Sequence, residues 1–179
     1  MTPVVLQGTR VRLRQWEDCD RAFFAELNTD PVAMEFFPSV LTRAESYAMV
    51  NRLRGVIVGK GWGFWCLEIE GQCAGFTGLN VPTFDAPFMP AVEIGWRMLP
   101  RYWGRGYATE AARLALDYGF GVLNAEEIVA FTAPANARPR AVMERLGMRH
   151  DPAGEFDHPR VAVGHPLRRH VLYRISRPS

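Results

Sequence analysis

Trp96-Arg-Met-Leu-Pro-Arg-Tyr-Trp-Gly-Arg-Gly-Tyr-Ala-Thr-Glu-Ala111 is the stretch on which the reading of this chain turns. A strand-like run from Ala91 ends at Leu99 and Pro100 stops it. Glycines follow at 104 and 106, and from Tyr107 the apolar positions 108, 111, 112, 115, 116 and 120 recur at helical spacing. The start of a helix leaves backbone N–H groups without intrahelical partners, and the helix dipole adds partial positive charge there. Glycines let the preceding loop close around a ligand without Cβ interference. Arg101 and Arg105 add charged donors suited to phosphate oxygens. The chemistry this implies is a phosphate or pyrophosphate on a helix N-terminus. The spacing alone fits equally an ordinary turn into a capped helix with exposed arginines.

Two other nucleotide loops fail on spacing. Gly55-Val-Ile-Val-Gly59-Lys60-Gly61 lacks the four-residue gap and the Ser/Thr after Lys that a triphosphate loop requires. A dinucleotide fingerprint starting at Gly104 would need glycine where Thr109 stands, and antiparallel strands rather than a βαβ unit precede it.

Working outward, Thr9 to Arg14 alternates with period two, as a short strand with one buried face. Helices are expected from Asp18 to Asn28 and, behind a Thr42/Glu45 capping box, from Thr42 to about Val58. Gly63–Glu70 and Cys73–Leu79 flank a Gly71-Gln72 turn as an antiparallel hairpin. Residues 82–90 read as a loop. Downstream of the Tyr107–Leu123 helix come a strand at 127–132, a helix at 141–146 and a last strand at 170–175. The order β-α-α-β-β-β-α-β-α-β describes an α/β mixed sheet with helices on its faces.

With 179 residues, no repeat and no linker, the chain reads as one domain over 1–179. A hydrophobic fraction of 48% excludes a disordered chain. A formal net charge of +2 is too mild to predict nucleic acid or an anionic membrane as a partner. Neither a signal peptide at the N-terminus nor an apolar run of membrane-spanning length is read. Three cysteines without a CxxC pair fit free thiols in a reducing cytoplasm, with Cys66 and Cys73 packed as small hydrophobes. The four histidines lack paired-ligand spacing, so no metal is expected.

Arg101-x-x-Gly104-x-Gly106-x-Ala108 resembles the acetyl-CoA pyrophosphate loop of the GNAT superfamily of N-acetyltransferases. Trp103-Gly-Arg-Gly-Tyr-Ala-Thr-Glu-Ala111 is similar to the form in its RimJ/RimL-like branch, and Asn136-Ala-Arg-Pro-Arg-Ala-Val-Met-Glu-Arg-Leu-Gly-Met148 to that branch's second signature. The tail from Phe156-Asp-His-Pro to Arg174 also reads like that branch, so the resemblance covers nearly the whole chain. It implies a mostly antiparallel twisted sheet in which strands 91–99 and 127–132 splay apart around the cofactor. The backbone of Trp96, Arg97 and Met98 would pair with the pantetheine. Main-chain N–H groups of Trp103, Gly104, Arg105, Gly106, Tyr107 and Ala108 would hold the pyrophosphate, with Arg101 in support. Asn136 would contact the pantetheine and Arg140 approach the cofactor.

Acetyl transfer needs a neutral amine, hence a base or a water wire to one. Glu93, in Val92-Glu-Ile-Gly-Trp96, is the candidate, and relatives often place a glutamate there acting through water; a salt-bridged strand residue is the alternative. Where relatives often carry Ser, Pro139 stands, so the acid for the departing thiolate is left open between Tyr173, water and no group at all. The loop aromatics Phe36, Phe37, Phe84 and Phe88 are either core or acceptor wall, with Phe37 and Phe84 taken as substrate candidates. The resulting expectation is an acetyl-CoA-dependent N-acetyltransferase, monomer or homodimer, acting on a small amine or a protein N-terminus by direct attack in a ternary complex. A CoA-binding module that has lost turnover, which Pro139 would favour, and a dinucleotide oxidoreductase are the rivals.

Overall fold

Alternation in Val11–Arg14 (β2) buries Val11 and Leu13, at 1% and 0% exposure, while Arg12 faces solvent. That much follows from the pattern, but Arg14 is also buried. Asp20 accepts from it at 2.7 and 2.9 Å through both carboxylate oxygens, and Glu68 accepts a third bond. A computed structural model describes residues 4–178. The expected domain's outermost residues, 1–3 and 179, and with them the first three of the N-terminal stretch read for a signal peptide, lie outside the described residues.

After β1 (Leu6–Gln7) and β2, two helices follow, α1 (Asp20–Thr29) and α2 (Arg43–Lys60). The capping box at the start of α2 is present: the Thr42 side chain accepts from the Glu45 N–H, and the Glu45 carboxylate accepts from the Thr42 N–H. Strands β3 (Phe64–Ile69) and β4 (Gln72–Asn80) form the expected hairpin, and β5 (Val92–Met98) lies beside β4. Helix α3 (Tyr107–Gly121) and strand β6 (Glu127–Thr132) then make the βαβ crossover. The chain closes with α4 (Ala137–Arg145), β7 (Arg149–His150), β8 (Phe156–Asp157) and β9 (Arg169–Ser176). Among the described residues no helix is long and apolar enough to cross a membrane.

The main sheet runs β1-β2-β3-β4-β5-β6-β9-β7, with β8 pairing β9. Every pairing is antiparallel except β5 with β6. Helices cover both faces, because successive strand residues point opposite ways. Phe64 packs on Phe76, itself edge-on to Phe24 of α1, whereas neighbouring Trp65 packs edge-on to Tyr118 of α3. Cys66 and Cys73 are buried as expected of small apolar side chains.

Two features position the site. The parallel pair is joined only at Val92↔Ile128 and Glu93↔Val129. Beyond them β6 stays with β9 through Thr132, and the strands part. In addition, α4 begins at Ala137, one turn before the 141–146 helix that periodicity predicts. Its first turn is mostly polar and shows no apolar repeat, and Pro139 sits there because those positions have no intrahelical acceptor to satisfy. The two-residue strands β1, β7 and β8 are too short to show a period, and the sequence pattern misses them.

Candidate active site

The opening between β5 and β6 leads into a cleft of about 1080 Å³. One wall is the edge of β5 from Ile94 to Met98 and the start of α3; the other is Phe131, Thr132, Asn136 and α4. The segment after α1, with Val32, Ala33, Phe36 and Phe37, closes one side.

The loop between β5 and α3 is built by local hydrogen bonds. Pro100–Tyr102 is a single 3-10 turn, in which Tyr102 N–H donates to Leu99 and Trp103 N–H to Pro100, both at 3.0 Å. Gly104 and Gly106 then take φ values of +74° and +80°, a left-handed backbone that favours glycine. Space where a Cβ of Gly104 would stand is open to 4 Å. No side chain caps α3. Among the described residues, the N–H groups of residues 104–109 have no protein acceptor. Such a run of free N–H groups at a helix start forms an anion-binding nest. Trp103 differs from the expectation: its main-chain N–H is consumed by the turn, and its indole Nε1–H donates to the Met98 carbonyl at 2.8 Å. It braces the loop rather than offering it a donor.

Arg10, which no motif singles out, fastens this loop. Its N–H and Nε donate to the Glu110 carboxylate at 2.7 and 2.8 Å, its Nη1 donates to the Arg105 carbonyl at 2.8 Å, and its guanidinium lies 4.9 Å from the Tyr107 ring centre. Its partners stand roughly 100 positions further along the chain, beyond the reach of pattern reading. The arginines chosen from sequence stand elsewhere. Arg101 is exposed and paired with Glu26 of α1. Arg105 is exposed, contributes its carbonyl, and does not line the cleft. Arg140 donates to the Tyr173 hydroxyl at 3.2 Å and to the Pro134 carbonyl at 2.8 Å, tying α4 to the preceding loop. The arginines that do line the cleft are Arg113, Arg138 and Arg145, together with Arg10 and Arg97. Arg138 stacks 4.3 Å from the Trp103 ring centre and so bridges α4 to the glycine loop. Its only sequence signal is its place in the Asn136–Met148 segment, ahead of the apolar repeat at 141–146.

Trp96, Arg97 and Met98 lie on the open β5 edge, with Gly104, Gly106, Tyr107 and Ala108 at the α3 end of the same cleft. Asn136 lines it as the residue before α4, its Nδ2 donating to Thr132 Oγ1 at 3.1 Å. Glu93 sits at the vertex where the strands part, on the last β5 residue still paired with β6. Asn80 Nδ2 donates to its Oε1 at 2.7 Å. Burial holds its carboxyl above the usual range, opposed by the Asn80 bond and by Arg160. Phe37 is 44% exposed and lines the cleft; Phe84 does not, packing instead with Phe131, Phe156 and His158 in a second cluster beside β9. Phe84 and Phe88 join that cluster because the 82–90 loop brings both rings against Phe131 of β6 and Phe156 of β8. Tyr173 is buried, bonded to Arg140 and 3.3 Å from Glu144, and Pro139 lines the cleft without any proton to give.

Against known proteins, an acetyltransferase (GNAT) domain family matches residues 10–149. The uncharacterized N-acetyltransferase YnaD of Bacillus subtilis is 31% identical over 144 residues, covering 79% of this chain and 81% of that protein. A GNAT-family acetyltransferase structure from Bacillus anthracis superposes with a TM-score of 0.79 at 26% identity, covering 97% of this chain and 98% of the other. Mycobacterium smegmatis RimJ, solved in complex with CoA-disulfide, shares the fold at a TM-score of 0.76 and 21% identity over 98% of this chain and 90% of its own. The sheet splayed at Glu93, the nest at the start of α3 and these likenesses lead to one assignment: the chain belongs to the GNAT family of N-acetyltransferases.

Proposed function

We propose that this chain moves the acetyl group of acetyl-CoA to a primary amine by direct attack in a ternary complex. The observation that carries the reading is that Gly104 and residues 106–109, with their free N–H groups, and the unpaired β5 edge line one continuous cleft. These suit the two chemically different parts of CoA: a strand edge suits the amide-bearing pantetheine, and a helix start suits the diphosphate. RimJ, which shares the fold, was solved with a CoA compound bound. Arg113, Arg138 and Arg145 supply further positive charge at the phosphate end. Bound acetyl-CoA supplies an activated thioester carbonyl.

The residues then divide the work. Glu93, at the vertex of the splay, accepts a proton from the acceptor's ammonium through water, which leaves the neutral amine to attack; its raised pKa makes it a better base than an exposed glutamate. A β5 backbone N–H donates to the oxygen that becomes negative as the nitrogen–carbon bond forms. As the carbon–sulfur bond breaks, the thiolate leaves without a side-chain acid, since Pro139 has none and Tyr173 is engaged with Arg140. A thiol pKa of about 8.5 makes it a fair leaving group, and through water it takes up the proton that the new amide nitrogen sheds. The same reading takes 1–179 as one domain working in a reducing cytoplasm, as a monomer or homodimer, where the free thiols of Cys19, Cys66 and Cys73 persist.

Thiol release from acetyl-CoA, followed with a panel of small amines and N-terminal peptides, tests it. Acceptor-dependent release, with acetylated product by mass spectrometry, is expected. Thermal protection by CoA with no release from any acceptor would leave a binding module, and protection by NAD(P) in its place would overturn the family's chemistry for this cleft.

A further inference from the structure

Two arginines are buried in this sheet, and only one has a counter-ion. Arg14, 6% exposed, is held by Asp20 and Glu68. Arg97, 9% exposed, has no carboxylate within salt-bridge distance among the described residues. Its Nη1 reaches only the Met34 thioether, a weak acceptor, and its Nε is buried without any partner. Three phenylalanine rings surround the guanidinium, with centres at 4.8 Å (Phe37), 5.4 Å (Phe76) and 5.9 Å (Phe24). Burial pulls its pKa down to about 10 and nothing nearby opposes that. A guanidinium withdrawn from water without an anion is costly, and aromatic faces offset only part of the loss. The residue lines the cleft, and Phe37 above it is open to solvent. The missing partner can therefore come from a ligand.

We propose that Arg97 is the acceptor-recognition residue, pairing with a carboxylate on the amine substrate, so that the acceptor is a small amino-carboxylate. This rests on the acetyl-transfer reading and narrows its acceptor class. Geometry supports it: residues four apart on a strand project from the same face, with Cα atoms about 13 Å apart. Glu93 and Arg97 thus stand on one face of β5, negative at the vertex where the amine reacts and positive further along. A molecule with an amine at one end and a carboxylate at the other matches that polarity. A polyamine, positive throughout, does not.

The test compares β-alanine, 4-aminobutyrate and 6-aminohexanoate with their carboxamides as acceptors for the full chain. The carboxamides carry the more easily deprotonated amine, so intrinsic reactivity favours them. The proposal expects the acids to lead in kcat/KM by roughly tenfold or more, the usual weight of a charge-assisted hydrogen bond. R97Q erases the acid-over-amide ratio and R97K keeps part of it. Should R97Q not fold, R97K and the native ratio still decide. Equal use of acids and amides by the native chain, or an unchanged ratio in R97K and R97Q alike, overturns the proposal while leaving acetyl transfer intact. Thermal stabilisation of the CoA complex by N-acetyl-6-aminohexanoate but not by its amide supports Arg97 even if no amine is turned over, which would sink only the transfer reading.

Discussion

The two ends of the cleft are made of different material. At the α3 end the functional groups are main-chain N–H groups, displayed by two glycines in left-handed conformation and a helix start. At the other end they are side chains gathered from separate segments: Arg97 from β5, Phe36 and Phe37 from the stretch after α1, with Glu93 at the vertex of the strands and outside the cleft's lining. Backbone donors are the same whatever the neighbouring residue, so the first end suits a constant ligand and is written in a short motif. Side chains differ, so the second end can be retuned for another acceptor without disturbing the first. The buried, unpaired Arg97 belongs to the variable end.

Glu93→Gln is the strongest probe of that division. It is expected to lower kcat by roughly 100- to 10,000-fold, the range for loss of a general base, while CoA still binds. The native enzyme's kcat/KM should rise with pH along a limb above the ordinary glutamate value of about 4.3, since burial raises this carboxyl and only its ionised form accepts a proton. That limb should vanish in the variant. Stability moves oppositely: the native state keeps this proton when the unfolded chain has released it, so stability falls as pH rises through the window between the two values. Melting curves of E93Q should lack that fall. Full turnover by E93Q would place the base elsewhere.

Gly104→Ala sharpens the contrast from the backbone side. A non-glycine residue in left-handed conformation costs about 1–2 kcal/mol. With φ at +74° here, the Kd for CoA should rise roughly five- to thirtyfold by calorimetry, with acceptor KM little changed. Phe37→Ala is the smaller, mirror-image change. Losing one ring over Arg97 should raise acceptor KM about two- to fivefold in steady-state kinetics, the weight of an exposed cation–π contact, and leave CoA affinity alone. If G104A moved acceptor KM and F37A moved CoA affinity, the two ends would be one coupled site.

How far pattern reading reached follows from the same physics. Strand and helix periods placed the hairpin, β5, α3 and β9, and the capping box at Thr42 fixed the start of α2. Gly104 and Gly106 marked the nest because a glycine requirement is local. Charge pairing is not local in this way. Arg101 and Arg105 are suggested by the glycine motif and Arg140 by the family resemblance, yet Arg101 pairs with Glu26, Arg105 is exposed and lends only its carbonyl to Arg10, and Arg140 pairs with Tyr173, whereas Arg10, Arg113, Arg138 and Arg145 line the cleft. Phe84 was drawn into a second apolar cluster by Phe131 and Phe156, strands away in sequence.

The sequence by itself determined the order of the longer elements and the glycine positions at 104 and 106, since dihedral preference, period and capping act over a few residues. Only the tertiary structure decided which cations face the cleft, which are neutralised, and that Arg97 is buried without an anion, because long flexible side chains take their partners from whatever the fold brings near.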